Sequence, residues 1–374
     1  MALIEKALIV GGGIAGMAAA IELRKRGVAV DLIELDPEWR VYGAGITING
    51  AALRAFKTLG VVEEVVALGW MSDGCDICAA GGAVLAKIPT PRIAGPDIPG
   101  GGGILRPVLA RILSKATLAS GTSVRLGTSF ESIAPAPDRV GVRFTDGSRG
   151  EYDLLIGADG LFSKVRSAVF PEAPKPRYTG QGCWRAVVPR PADITAARLF
   201  MGAKTKAGVN PVSRDEMYLF CVDGYQSAER IPEKDWAGIL TGLLAEFTGP
   251  IGTVRDGLNA GSRILYRPLE SVLVALPWHR GRIVLMGDAA HATTPHLASG
   301  AAISVEDAIV LAEELGRAES LETALRAYET RRFTRCKMVV ESSLRLGELE
   351  VTGGSKDEHA RVMRDSMTAL LEPI

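Results

Sequence analysis

The sequence carries no net charge, because its 43 Lys and Arg residues equal its 43 Asp and Glu residues. It therefore lacks the positive field that would attract nucleic acid or an anionic membrane surface. It also lacks any run of about 20 apolar residues, the length that a membrane-spanning helix requires. We expect neither nucleic acid nor a membrane among its partners.

Cysteine and histidine are scarce, with five and four residues in 374. Residues 1–6 contain no basic stretch, and the apolar run that follows them is too short for a signal peptide. An odd number of cysteines without a secretory signal favours reduced thiols in a cytoplasmic protein. Cys75 and Cys78 have C-x-x-C spacing, but no second pair or histidine cluster accompanies them. Alternation along a strand explains this spacing better than a metal or redox site, so we expect no metal.

Glycine, by contrast, is abundant, with 43 residues, and 47% of the chain is hydrophobic. This composition suits an α/β enzyme with many tight turns, and the length is sufficient for two closely packed domains.

The first glycine motif follows a short apolar strand, Ala7–Val10. Gly11, Gly13 and Gly16 form the pattern G-x-G-x-x-G, and a segment with helical apolar spacing follows them. A second strand ends in Glu34, about 20 residues further on. This context predicts a dinucleotide site, with pyrophosphate at the start of the helix and Glu34 on a ribose. The motif alone does not distinguish FAD from NAD.

A second informative stretch runs from Arg282 to Ala308. Ile283–Met286 reads as a buried strand, a polar loop containing Pro295 follows, and a helix begins at Gly300. The free N–H groups of that helix would face whatever lies beyond the strand. Asp288 at the strand end could accept hydrogen bonds from a polyol. This arrangement suits a flavin nucleotide, although an ordinary strand–loop–helix crossover explains the segment equally well.

Two further segments carry candidate residues. Gly100 to Gly103 is interpreted as a flexible hinge before a helix that starts near Ile104. Arg106, at that helix start, could hold a phosphate or a flavin edge, and a plain surface arginine is an equal alternative. Gly157–Arg166 follows a buried strand and contains an Asp159-Gly160 turn that leads into a helix.

Together, three motifs resemble those of the class A FAD-dependent aromatic hydroxylases, which share the para-hydroxybenzoate hydroxylase fold. These motifs are Gly11–Gly16 with Glu34, Gly157–Arg166, and Gly287–Ala308. Within that class the chain is most similar to salicylate hydroxylase, 6-hydroxynicotinate 3-monooxygenase and FAD-dependent urate hydroxylase. The resemblance extends over nearly the whole length, and the W-x-W-x-I-P motif of flavin-dependent halogenases is absent from the sequence.

The resemblance implies an α/β fold with a Rossmann-like FAD-binding domain, a discontinuous α+β substrate domain with a mainly antiparallel sheet, and C-terminal helices. The expected FAD-binding domain comprises residues 1–70, 100–177 and 278–320. The expected substrate domain comprises residues 71–99 and 178–277, where short strands surround one helix, Trp236–Phe247. Residues 321–374 would form the C-terminal part, with helices at Leu321–Arg335 and Met338–Leu349 and a loosely ordered tail.

The resemblance also implies the reaction. NADH or NADPH would reduce non-covalently bound FAD, O2 would add at flavin C4a, and the hydroperoxide would hydroxylate an electron-rich aromatic or N-heteroaromatic ring. We expect a monomer or homodimer. A flavin oxidase or dehydrogenase acting on a small molecule is one alternative, and a non-catalytic nucleotide-binding sensor is another.

The residues implied to bind the cofactor are Gly11, Gly13, Ile14, Ala15, Gly16, Glu34, Arg40, Arg106, Asp159, Asp288, Pro295, Ser299, Gly300 and Ala301. The family commonly has Gln at the position of Ser299, but serine is itself a good helix N-cap.

Three residues are candidates for contact with the substrate. His296 lies in the loop expected to face the flavin, and a neutral imidazole there could accept a phenolic or pyridinol proton. Tyr218 and Lys206 resemble an active-site tyrosine and a substrate-binding arginine of urate hydroxylase. The alternatives are a loop-bracing histidine, a packed core tyrosine and a solvated lysine. We expect His291 to support the loop.

Overall fold

The computed structural model describes residues 3–40, 43–203, 205–224 and 231–374. Its strands, in chain order, are β1 (Lys6–Val10), β2 (Ala29–Ile33), β3 (Gly45–Asn49), β4 (Trp70–Ser72), β5 (Gly74–Ala79), β6 (Val84–Pro89), β7 (Gly101–Leu105), β8 (Ser123–Arg125), β9 (Phe130–Pro135), β10 (Val140–Phe144), β11 (Arg149–Tyr152), β12 (Leu154–Gly157), β13 (Arg177–Pro189), β14 (Ala197–Met201), β15 (Lys206–Pro211), β16 (Glu216–Gly224), β17 (Ile264–Ser271), β18 (His279–Arg280) and β19 (Ile283–Leu285).

The α-helices are α1 (Ile14–Lys25), α2 (Gly50–Leu59), α3 (Val62–Leu68), α4 (Arg106–Ala119), α5 (Lys164–Val169), α6 (Trp236–Leu243), α7 (Gly249–Gly257), α8 (Asp288–His291), α9 (Gly300–Arg317), α10 (Leu321–Thr352) and α11 (Lys356–Leu371). Short 3-10 helices occupy Glu233–Asp235 and Pro295–Leu297.

The first large sheet has six strands in the order β18-β19-β12-β1-β2-β8. All neighbours are parallel except β18 and β19. The central strands β1 and β12 are apolar and almost completely buried, as expected where helices cover both faces of a parallel sheet. Helix α1 packs on α9 beside this sheet. The carboxyl ends of the central strands therefore meet where the glycine motifs begin.

The second large sheet has seven strands in the order β17-β13-β16-β15-β14-β5-β6. All neighbours are antiparallel except the parallel pair β14 and β5. Successive side chains along each strand point to opposite faces of the sheet, and Trp184 and Leu219 enter a core with Leu240 of α6. Arg185 and Tyr218 project from the opposite face. The mixed α/β architecture with C-terminal helices confirms the predicted fold class.

The predicted hinge at Gly100 to Gly103 is wrong, because these residues enter β7. This strand is the centre of the three-stranded sheet β3-β7-β4, and α4 begins at Arg106 rather than at Ile104. A Cβ atom at Gly102 would lie 2.2 Å from the carbonyl oxygen of Trp70. The glycines therefore allow neighbouring backbone to approach closely.

Two helix predictions were also wrong. The single helix expected at Trp236–Phe247 ends at Leu243, and α7 follows it with Pro250 in its first turn, a favourable position for proline. The expected break near Lys337 does not occur, because α10 runs through all 32 residues from Leu321 to Thr352.

The tail expected to be loosely ordered forms α11, and the Ser355 hydroxyl accepts a hydrogen bond from the N–H of Glu358 at its start. Helix α10 packs on α9, β13 and the 3-10 turn at Pro295–Leu297. Within the described ranges, no helix combines the length and apolarity needed to cross a membrane.

Candidate active site

The turn between β1 and α1 is built by backbone contacts that require glycine. Gly11 has φ of +106°, and a Cβ atom there would lie 2.4 Å from the carbonyl oxygen of Ala158. A Cβ atom at Gly16 would lie 1.9 Å from the carbonyl oxygen of Gly11. Gly13, the N-cap of α1, has open space on its Cβ side and makes no side-chain cap. The first N–H groups of α1 are therefore available to an anion.

Glu34 lies beside this turn and is held by backbone N–H groups. Its Oε2 accepts from the N–H of Gly12 at 2.7 Å, and its Oε1 accepts from the N–H of Asp36 at 2.8 Å. Each carboxylate oxygen retains capacity for a further hydrogen bond, as ribose recognition requires. Arg40 is about half exposed, and its Nε lies 3.1 Å from Asp36 Oδ2.

The first and third motifs meet around one cavity of about 400 Å³. Ten of the residues predicted to bind cofactor or substrate line it: Gly13, Ile14, Ala15, Arg106, Tyr218, Asp288, Pro295, Ser299, Gly300 and Ala301. The structure thus brings residues that are far apart in sequence, some of them from the seven-stranded sheet, to one place.

Asp288 begins α8 and is accessible from this cavity while protein atoms crowd it on its other sides. Burial raises the pKa of this carboxyl group, and the nearby His291 and Arg106 oppose that effect. His291 is completely buried, with Nε2 2.6 Å from Asp307 Oδ2. The same Asp307 oxygen accepts from the N–H of Gly287. His291 thus supports the segment that carries Asp288.

The N-terminus of α9 faces the cavity without a side-chain cap. The Ser299 hydroxyl donates to the carbonyl of Leu297 at 2.7 Å and accepts from Asn49 Nδ2 at 2.9 Å. The helix start expected at Gly300 is present, but the expected capping by the serine side chain is not. Its first N–H groups are therefore available to a ligand.

Asp159 has its carboxylate engaged within the protein. It accepts from the Ser163 hydroxyl at 2.5 Å and from the Lys164 N–H at 2.7 Å, at the start of α5. Burial raises the pKa of Asp159 despite these hydrogen bonds. Arg166 donates to the carbonyl of Ala289 and so connects this motif to the third one. Asp159 itself does not line the cavity, whereas the adjacent residues Ala158 and Gly160 do.

Tyr218 lies on β16 and is 5% exposed. Its Oη is 2.5 Å from Thr47 Oγ1. Asn210, directly opposite Tyr218 on β15, donates through Nδ2 to the same Thr47 oxygen at 3.1 Å. Burial raises the pKa of Tyr218, so the phenol stays protonated. Thr47 and Asn210 were not recognised from the sequence, because strand register brings Asn210 to Tyr218 and contact between two sheets brings Thr47 there.

His296 and Lys206 do not line the cavity. Both instead lie at Glu350 of α10: His296 Nε2 is 3.4 Å from Oε2, and Lys206 Nζ contacts Oε1. The imidazole is 2% exposed, and its Nδ1 is 2.9 Å from Thr294 Oγ1. Asn210 is paired with Tyr218, and Lys206 precedes Asn210 by four residues on β15. Lys206 is therefore roughly 13 Å along the strand from the position opposite Tyr218.

Sequence reasoning missed Arg185, which lies on β13 and lines the cavity. In the described part of the chain, neither its guanidinium nor that of Arg106 has a hydrogen bond or an ion pair. Burial, and then repulsion by Arg185, lower the pKa of Arg106 to about 10. The available signal was a single charge in the otherwise apolar run Cys183–Pro189.

Comparison with known proteins agrees with this geometry. A family model described as FAD binding domain matches residues 5–343. Aurachin C monooxygenase/isomerase of Stigmatella aurantiaca is 34% identical over 357 residues, which cover 91% of this chain and 88% of that protein. The 2-heptyl-3-hydroxy-4(1H)-quinolone synthase of Pseudomonas aeruginosa is 33% identical over 348 residues, with 91% and 88% covered.

A solved structure shares the fold. Klebsiella pneumoniae HpxO complexed with FAD and uric acid matches with a TM-score of 0.82 at 24% identity, covering 98% of this chain and 93% of that one. The chain belongs to the FAD-binding-domain family and, within it, to the class A FAD-dependent aromatic hydroxylases. It is an FAD-dependent monooxygenase that uses NADH or NADPH.

The residues present fit FAD. The open side of Gly13 and the uncapped start of α1 suit a pyrophosphate, and Glu34 lies where a ribose would follow. Asp288 and the uncapped start of α9 lie at the same cavity, where a polyol chain and an electron-rich ring can be held.

Proposed function

We propose that this protein hydroxylates an electron-rich aromatic or N-heteroaromatic ring, with NADH or NADPH and O2 as co-substrates and non-covalent FAD. The observation that supports this most directly is the cavity itself. Its walls are the glycine motif, the start of α9, and the polar Tyr218 and Arg185 on the face of a second sheet. A ring placed there would lie between a flavin site and groups able to orient it.

In this proposal the first motif holds the nucleotide end of the cofactor. The N–H groups at the start of α1 bind the pyrophosphate, and Glu34 binds the adjacent ribose. Asp288 binds the ribityl hydroxyls, and Arg106 reaches the cofactor from the start of α4. Arg40 extends this binding surface at the nucleotide end.

The segment from Pro295 to Ala301 then contacts the flavin ring. Bound FAD supplies the redox chemistry, taking reducing equivalents from NADH or NADPH and passing them to O2. The protein stabilises negative charge with the N–H groups at the start of α9.

Among the three substrate candidates, the contacts favour Tyr218. Its side chain lines the cavity, and its raised pKa keeps the phenol protonated, so that it can donate a hydrogen bond to an oxygen on the substrate ring. For His296, the contacts with Thr294 and Glu350 favour bracing of the loop over proton abstraction. For Lys206, the ion pair with Glu350 favours attachment of α10 to the sheet.

We further propose that the sequence-based domain boundaries apply, and that the protein works in the cytoplasm as a monomer or homodimer. The five cysteines are free, which suits a reducing compartment. Relatives named for urate, 6-hydroxynicotinate and a quinolone support a nitrogen heterocycle as substrate.

The test is a screen of hydroxylated benzoates, pyridines, quinolones and purines with the FAD-loaded protein. For each compound, NAD(P)H consumption, H2O2 and product mass are measured under 18O2. We expect at least one compound to accelerate NAD(P)H consumption and to gain one 18O atom. If every stimulating compound yields only H2O2, an oxidase rather than a monooxygenase is present.

A further inference from the structure

Arg185 lies at an unusual position for a charged side chain. On β13 its neighbours Trp184 and Ala186 enter the core beneath α6, so Arg185 projects from the opposite face of the sheet. It is paired with Phe220 on β16, two residues from Tyr218 on the same face. Both Arg185 and Tyr218 line the cavity. The sheet therefore presents a cation and a phenol side by side to whatever occupies that space.

The charges in the cavity do not balance. Arg185 and Arg106 line it from two different elements, and neither has an ion pair within the described residues. The single carboxylate among the described lining residues is Asp288, whose own pKa is raised by burial. Two guanidinium groups near each other in a partly buried space repel each other unless an anion lies between or beside them.

The cofactor accounts for one of these two cations. The pyrophosphate site is at the start of α1, and Arg106 begins α4, the helix that packs on α1. Arg185 belongs to the opposite wall, formed by the seven-stranded sheet. A ligand between the cofactor and that wall is the substrate.

We propose that Arg185 binds an ionised oxygen group of the substrate, so that the protein selects aromatic acids or ring oxyanions over their neutral counterparts. This inference rests on the proposed function and specifies its substrate class. Arginine is suited to the task, because its planar fork donates two parallel hydrogen bonds to a carboxylate or to an oxyanion and an adjacent acceptor. Tyr218, a protonated phenol beside it, can donate a further hydrogen bond to the same ligand.

The experiment measures dissociation constants from the change in flavin absorbance, so that it does not depend on turnover. The probes are matched pairs: salicylate with salicylamide, and 6-hydroxynicotinate with 6-hydroxynicotinamide. Urate and 2-methyl-4(1H)-quinolone compare a ring anion with a neutral ring. Wild type, Arg185→Met and Arg185→Lys are each loaded with FAD. Arg267→Met is the control, because Arg267 is exposed on β17 and does not line this cavity.

We expect wild type to bind at least one anion ten times more tightly than its neutral partner. Arg185→Met should raise the dissociation constant of that anion about 10- to 100-fold, as expected for the loss of hydrogen bonds to a charged group. The dissociation constant of the neutral partner should change less than twofold. Arg185→Lys should give an intermediate loss, and Arg267→Met should match wild type. If the carboxylates show this preference, Arg185 recognises a carboxylate; if urate shows it, Arg185 recognises a ring oxyanion.

The inference is overturned if no anion binds more tightly than its neutral partner. It is also overturned if Arg185→Met weakens both members of a pair equally, or if both Arg185 variants lose FAD, since Arg185 would then serve the cofactor or the fold. The proposed function fails separately: in that case wild type shows the binding preference but incorporates no 18O into any probe.

Discussion

The imidazole of His296 lies 3.4 Å from the carboxylate of Glu350, and this contact joins the 3-10 turn beside the cavity to the C-terminal helix α10. Lys206 and His359 contact the same carboxylate. Three segments that are far apart in sequence are therefore held at Glu350.

Replacement of His296 separates a bracing role from a catalytic one. We expect His296→Asn to retain FAD and to lower the free energy of unfolding by roughly 1–2 kcal/mol, since the contacts with Thr294 and Glu350 are lost. The pH profile of hydroxylation should keep its shape, because the imidazole does not line the cavity. Denaturant unfolding and a pH series of product formation measure the two effects. If the variant instead loses the rise or the fall of the pH profile while its stability is unchanged, His296 acts as a base.

Glu350 gives a pH-dependent contribution to stability. Burial alone would raise its pKa, but His296, His359 and Lys206 outweigh that effect and lower the pKa. A carboxyl group with a lowered pKa stabilises the fold above its ordinary pKa near 4.5, and the contribution is lost as the pH falls through the folded value. Glu350→Gln should therefore be less stable than wild type at pH 7, and the difference should shrink below pH 4.5.

Thermal melting from pH 3.5 to pH 8 measures this difference. Glu348→Gln is a matched control two residues away, because Glu348 is 60% exposed and pairs with Arg345 at the surface. That control should change the melting temperature little at any pH. An equal effect of the two substitutions would contradict the proposed attachment of α10 at Glu350.

His279 should contribute to stability at low pH rather than at high pH, the reverse of Glu350. A hydrogen bond to the Glu329 carboxylate, opposed by burial and aided by Glu322, raises the pKa of this histidine above 6.5. Its protonated form thus stabilises the fold fully below pH 6.5, and the contribution is lost as the pH rises through the folded value. Glu329→Gln retains an acceptor for the N–H groups of Trp278 and His279 while it removes the charge.

We expect the loss of stability in Glu329→Gln to be larger at pH 6 than at pH 9, as measured by thermal melting of the FAD-loaded protein. Glu322 is 52% exposed and 3.2 Å from the same ring, so Glu322→Gln should show a smaller difference in the same direction. A pH-independent loss in Glu329→Gln would mean that packing, not charge, is the main contribution.

Sequence reasoning reached furthest where the geometry depends on the local backbone. Gly11 follows β1, Gly16 lies in the first turn of α1 and Asp288 begins α8. Neighbours along the chain determine their geometry, so their positions could be predicted. The roles of His296 and Lys206 depend on Glu350, more than 50 residues from His296 and supplied by a helix that was expected to be broken. Arg185 and Thr47 depend on strand register and on sheet packing, which no local pattern encodes.

Asp288 is expected to bind the cofactor, whereas the Asp159 carboxylate is expected to stabilise the fold at the start of α5. Asp288→Ala should weaken FAD binding about 10- to 100-fold, since one or two hydrogen bonds to the ribityl chain disappear. Asp159→Asn should instead lower the melting temperature, because its carboxylate accepts from Ser163 and Lys164 at the start of α5. FAD fluorescence on dilution, together with thermal melting, distinguishes the two. Full FAD occupancy in Asp288→Ala would overturn the assignment of that residue.

Tyr218 is the remaining candidate for a direct part in hydroxylation. Its side chain lines the cavity, and its hydroxyl shares a hydrogen bond with Thr47 and stays protonated because burial raises its pKa. It should therefore donate to an oxygen on the substrate ring and orient the ring, rather than remove a proton. Tyr218→Phe retains the ring that packs beside Phe220, so the wall of the cavity should survive.

In Tyr218→Phe we expect normal FAD content and near-normal NAD(P)H oxidation without substrate. Hydroxylated product should fall roughly 100-fold, within the range for the loss of a proton-transfer or proton-donating group, and H2O2 should rise in proportion. Thr47→Val is the companion variant, since it removes the partner of the phenol but not the phenol itself; its product yield should fall less than tenfold. Equal losses in both variants would show that the hydrogen bond between Thr47 and Tyr218 matters for structure alone, and that the phenol does not contact the substrate.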